Sequence, residues 1–188
     1  MRDIGSQVVH VGRPDWSGEY ECVAHPLGVV AVPQFDAAPS AGPDARQLSD
    51  VLHACGFATL IVELQSIDCE GDMGRLSQRL VDVLGWLRDK HAGMEVGVFG
   101  TQLLASAALQ AVAQRPGIAA AVVTRSASPE LVGAHLAQVQ AATLLIVGDD
   151  DADLLQSNRA ALRLLNCSKR LEVVPGAGRW FDELGARE

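Results

Sequence analysis

Hydrophobic and polar positions alternate along the chain in two distinct rhythms. Continuous apolar runs at Gly28–Val32, Phe57–Val62, Glu95–Phe99, Ile118–Val123 and Thr143–Val147 have the length and β-branched content of strands covered on both faces, and Arg170–Val174 predicts a last strand. Between them, apolar residues recur at helical spacing: Leu48, Val51, Leu52 and Cys55; Leu76, Leu80, Val83, Leu84 and Leu87; Leu103, Leu104, Ala107, Ala108 and Ala111. Two further helices are predicted by Leu131, Val132, Leu136 and Val139, and by Leu154, Leu155, Leu162 and Leu165. Pro33 is expected to close the first run, Gly56 and Pro116-Gly117 to stop helices, Ser128-Pro129-Glu130 to start one, and Pro175-Gly176 to break the last strand. Two partly alternating segments, Gln7–Val11 and Tyr20–Ala24, separated by Gly12, Pro14 and Gly18, predict an N-terminal antiparallel hairpin.

Strands alternating with helices pair in parallel and place helices on both faces. The expected class is therefore α/β, a three-layer sandwich with a doubly wound, mostly parallel sheet and the hairpin at its edge. Residues 1–188 are read as one domain.

Composition narrows the function classes. At 48% hydrophobic and 20% charged residues the chain can bury a sizeable core. A formal net charge of -8 argues against general affinity for nucleic acid or anionic membrane, which requires clustered Lys and Arg. Cys22, Cys55, Cys69 and Cys167 have neither zinc-site nor redox spacing, and no run approaches the about 20 apolar residues that span a bilayer. A cytoplasmic protein without metal or cofactor is expected.

The segment Val96-Gly97-Val98-Phe99-Gly100-Thr101-Gln102-Leu103-Leu104 reads as strand, sharp turn and helix. It resembles, without a gap, the elbow of the α/β-hydrolase superfamily in its dienelactone-hydrolase-like branch, where Gly-x-Ser-x-Gly or its Cys counterpart lifts a nucleophile above the sheet. Thr143–Asp151 resembles the strand that supplies the triad acid, and Leu171–Phe181 the strand and loop that deliver the triad His. The resemblance implies an α/β-hydrolase fold and triad positions at Gln102, Asp151 and Arg179, of which only Asp151 is retained. Gln has no proton to surrender, and Arg stays protonated because its pKa exceeds about 12.

The resemblance also implies an oxyanion-side loop at Gln34 and Phe35, where the family's Gly would aim a backbone N–H inward, and pocket positions at Thr101 and Leu103. Leu104 replaces the elbow's second Gly, so the strained turn is expected to have relaxed. Arg179 is expected to pair with Asp151 in a salt bridge that replaces a His-Asp pair, and binding of an anionic ligand is compatible with that. Trp180 is a candidate plug for the former site's mouth, and Ser106 is expected to pack against the sheet.

Asp149, Asp150, Asp151 and Asp153 invite a metal site, but helix capping and the macrodipole explain acids there better. His10, His25, His53, His91 and His135 all fall away from the position of the family's base. The leading expectation is a catalytically degenerate hydrolase, a pseudoenzyme that binds a small molecule or a partner. The alternative is a working hydrolase of ester, lactone or thioester bonds with Thr101, Ser106 or a cysteine as nucleophile. A homodimer that covers a sheet face is a third reading.

Overall fold

The computed structural model describes residues 5–11, 16–35, 45–64 and 72–181. Within them, β1 (Gly5–Val11) and β2 (Trp16–Cys22) form the expected antiparallel hairpin. Then follow β3 (Gly28–Phe35), α1 (Ala45–Ala54), β4 (Ala58–Leu64), α2 (Met73–Lys90), β5 (Glu95–Thr101), α3 (Gln102–Gln114) and β6 (Ala121–Arg125). Two short 3-10 helices, Pro129–Leu131 and Gly133–Gln138, lead to β7 (Ala142–Gly148), α4 (Ala152–Leu164) and β8 (Lys169–Val174).

The strands form one sheet in the order β1-β2-β4-β3-β5-β6-β7-β8. From β4 to β8 all pairs are parallel, and β2 joins β4 antiparallel. One face carries α2, α3, the 3-10 segments and α4, packed on one another. Along α2, Leu76, Leu80, Val83, Leu84 and Leu87 are fully buried, and in α3 small residues from Ala105 to Ala113 lie close on the sheet. No described helix is long and apolar enough to cross a membrane.

Helix α1 occupies the opposite face, and its buried residues correct the reading of its sequence. Val51 and Cys55 are exposed, whereas Ser49 and His53 face the sheet. Ser49 Oγ contacts Thr59 Oγ1 at 2.5 Å and donates to Glu21 Oε2 at 3.2 Å. His53 Nε2 lies 2.9 Å from Thr59 Oγ1, and its Nδ1 lies 3.6 Å from Glu21 Oε2. A buried polar network of Ser49, His53, Thr59 and Glu21 anchors this helix.

Three other expectations are corrected. Pro33 does not end β3, which pairs with β4 as far as Phe35. Its ladder with β5 stops at Ala31, so Pro33 falls where one side of the strand is an edge, and an edge tolerates a residue without an N–H. The strand predicted over Ile118–Val123 lies at Ala121–Arg125. The helix expected after Ser128 is two 3-10 segments parted at Val132, the second opening on Gly133, whose φ is +58°, and Ser128 makes no side-chain cap. Gly12 and Pro14 lie outside the described residues.

Candidate functional site

The elbow keeps its shape. Gly100, the penultimate residue of β5, lets α3 approach so closely that a Cβ there would stand 2.7 Å from Leu104 O and 2.8 Å from Ala105 Cα. Gln102 follows with φ +52°, so the turn has not relaxed as Leu104 had suggested. A side chain in this left-handed region persists only where its surroundings hold it. Here the hold comes from Ser106, fully buried one turn into α3. Its Oγ lies 3.3 Å from Gln102 O and 3.2 Å from Ser128 O, and it accepts the Ser128 N–H at 2.9 Å. Gln102 Nε2 is buried without a hydrogen-bond partner among the described residues.

The acid position caps a helix. Asp151 precedes α4, and its Oδ1 accepts the Leu154 N–H at 3.0 Å. Its Oδ2 accepts Arg179 Nε at 2.8 Å, in a pair whose guanidinium side is half-exposed. The Leu154 N–H and the Arg179 guanidinium hold this carboxyl below the usual carboxylate range, against the opposing pull of burial.

Arg179 reaches Asp151 because the segment from Pro175 to Phe181 crosses the carboxyl ends of β7 and β6 as a strap. Asp149 N and Asp150 N donate to Val174 O and Ala177 O at 3.3 and 3.2 Å, and Gly176 N donates to Asp149 Oδ1 at 2.6 Å. A Cβ on Gly148 would overlap the Ala177 carbonyl, so glycine is what admits the strap. Ser126 Oγ donates to Arg179 O at 2.7 Å and ties the far end to β6.

The strap ends on Phe181, 2% exposed, whose ring lies 5.0 Å from the Arg125 guanidinium carbon. Arg125 is itself 4% exposed and sits opposite Thr101 in the β5–β6 register, one residue from Gln102. The residue that plugs this edge is therefore Phe181, not Trp180, which is 47% exposed. Its neighbour Trp180 follows the backbone turn outward.

The remaining expected positions divide. Thr101 and Leu103 flank Gln102, with Leu103 packed on the core. Phe35, the last residue of β3, also packs on the core, but Gln34 pairs with Glu63 on the α1 face. There Gln34 lines a separate cleft of about 420 Å³ with Glu19, Arg46 and Glu63. Arg125, Ser126 and Phe181 are site residues that the sequence reading missed. An arginine closing an apolar strand at its carboxyl end was the available signal, since open α/β sheets bind ligands there.

Sheet order and the strand-turn-helix corner at Gly100 are those of the α/β-hydrolase fold. No protein-family model matches the chain. A dienelactone hydrolase of Anabaena variabilis shares 33% identity over 98% of this chain and 91% of its own, with a TM-score of 0.86. The chain belongs to the dienelactone-hydrolase family. A metagenomic dienelactone-hydrolase-like promiscuous phosphotriesterase, 18% identical over 98% of this chain and 87% of its own, shares the fold at a TM-score of 0.75. A candidate phosphoribosyl transferase of Mycobacterium tuberculosis is 36% identical over the whole of this chain, which spans only 44% of that protein's length.

Proposed function

We propose that this chain is a non-hydrolysing member of its family whose former active site binds a ligand. One observation carries the reading: the base position holds Arg179, and its Nε is committed to Asp151 at 2.8 Å. Acyl transfer needs a group that takes a proton from the nucleophile and returns it, and a guanidinium paired to a carboxylate does neither. Gln102 stands where the nucleophile would be, and the nearby hydroxyl of Ser106 is fully buried and engaged with Gln102 O and Ser128. The transferase name of the mycobacterial relatives belongs to proteins more than twice as long as the shared region, so the proposal takes its chemistry from the hydrolase corner.

The test compares wild type with the double variant Gln102→Ser/Arg179→His on p-nitrophenyl acetate, alongside labelling by a fluorophosphonate. The wild type is expected to match the buffer blank and to carry no stoichiometric phosphonate label. Turnover by the wild type as fast as by the double variant, or stoichiometric phosphonylation of Thr101 or Ser106, would overturn the proposal in favour of a hydrolase with a displaced nucleophile.

A further inference from the structure

Along β3, β5, β6 and β7 the residues turned toward α2 and α3 are buried, whereas the alternate positions Val30, Phe99, Val123, Leu144 and Ile146 are only half-buried. A parallel sheet ordinarily carries helices on both faces. Among the described helices α1 alone lies on this second face, over β4, and the strands beside it stay bare. The result is an apolar groove of about 250 Å³, floored by Val30, Phe99 and Val123 and walled by Leu52 of α1 and by Phe57. Glu95 is the one charged residue among those that line it.

The wall belongs to the apolar stripe that helical spacing predicts for α1. Because Ser49 and His53 turn to the helix's own sheet, Leu52 lines the groove, and Leu48, Val51 and Cys55 share its side of the helix. Val51 is 58% exposed. Leu27, 70% exposed, extends the ridge past Gly56, whose carbonyl accepts the Leu27 N–H at 2.9 Å. Of the segments outside the described residues, none carries more than two large apolar side chains, too few to cover the floor.

We propose that this face is the interface of a two-fold dimer, in which α1 of each copy lies on the bare strands of the other. The face is a step, high at α1 and low over β5 to β7. A step is complementary to itself about a two-fold axis along its edge, since the rotation sets each ridge over the other floor. Ridge and floor stand on one chain, so a second copy supplies both halves of the fit. Four strands about 4.8 Å apart, each bare over about 15 Å, make a floor of about 300 Å², and the side and top of the 10-residue helix add roughly as much again. Two copies then bury about 1,200 Å², the lower limit for a specific interface, which sets the expected association in the micromolar range.

Sedimentation equilibrium of the full chain from about 1 to about 100 µM tests this, and the wild type is expected to pass from monomer to dimer over that range. Val51→Glu, at an exposed position, is expected to weaken the dimer at least about tenfold without altering thermal unfolding, and Ile146→Lys to do the same from the floor. Leu164→Glu, on the exposed side of α4, is expected to leave the dimer unchanged. An axis along α1 brings the exposed Cys55 of the two copies together, so a short bismaleimide is expected to link the wild type, and Cys55→Ser to abolish the link. A monomer at about 100 µM overturns the second copy as occupant and leaves the face to a different protein. A dimer that survives Val51→Glu, or that is linked equally well in Cys55→Ser, is built on another surface and overturns the proposal too. Should Ile146→Lys fail to fold, Val51→Glu and the cross-link decide by themselves.

Discussion

The elbow and the strap meet at one edge of the sheet and depart from a hydrolase corner in opposite ways. Gly100–Leu104 keeps the shape of a catalytic turn, close approach and positive φ included, with a side chain that has no nucleophilic chemistry. Pro175–Phe181 keeps a partner for the acid, through Arg179, but uses the space beside the elbow for the chain's own aromatic ring. The difference teaches that elbow geometry is a packing feature. It is set by how closely α3 lies on β5 and by the buried hydroxyl of Ser106, neither of which depends on the residue at the tip. The strap is set by polar ties at a half-exposed edge, where composition can change at lower cost.

The comparison breaks most visibly at two glycines. Gly100→Ala drives a Cβ into helix backbone, and a loss of about 3 kcal/mol in urea unfolding is expected, with the whole domain affected. Gly148→Ala collides instead with the strap at Ala177, so a loss of about 1–2 kcal/mol is expected, with fast amide exchange confined to the strap. Equal and global losses would mean that elbow and strap are one unit.

Next in size is Ser106→Ala, which removes the ties from α3 to Gln102 O and to both backbone groups of Ser128. A loss of about 1–2 kcal/mol is expected, measured by the same unfolding curves.

Asp151→Asn keeps a capping side chain but removes the charge that Arg179 meets. Because the folded carboxyl titrates below its unfolded value of about 3.9, its contribution is fully present above that pH and fades as pH falls through the folded value. The gap between wild type and variant is expected to be about 1 kcal/mol or less at neutral pH, given the exposure of Arg179, and to close on acidification below about pH 4. A gap that widens with acid would contradict the ion pair.

The smallest effect sharpens the elbow alone. At an ordinary first helical turn, Gln→Gly costs about 0.5–1 kcal/mol. At Gln102 relief of the positive φ offsets that, so Gln102→Gly is expected to be neutral or slightly stabilising in thermal unfolding. A full helical penalty would argue that Gln102 is unstrained.

Much of the architecture was legible because burial here is mainly apolar. In α2 every leucine and valine of the predicted stripe is fully buried, since a regular spacing met an equally regular sheet. The same reasoning failed on α1, where Ser49 and His53 face Thr59 and Glu21. Periodicity cannot anticipate a buried polar network, because its partners come from distant strands. The turn at Gly100 and the helix start at Asp151 were legible from local patterns, and the structure has both. Arg125 and Phe181 were not, since they are 56 residues apart and only the strap's path over Gly148 brings them together.

What the sequence by itself determined is the order of elements, the parallel sheet and the sharp strand-to-helix turn at Gly100, because these follow from local spacing and side-chain chemistry. Only the tertiary structure decided that the elbow stays strained, that Phe181 rather than Trp180 fills the edge, and that Gln34 turns to another cleft. The physical reason is common to all three. Each depends on which side chain wins a shared space against competitors from elsewhere in the chain, and that contest exists only once the sheet has assembled.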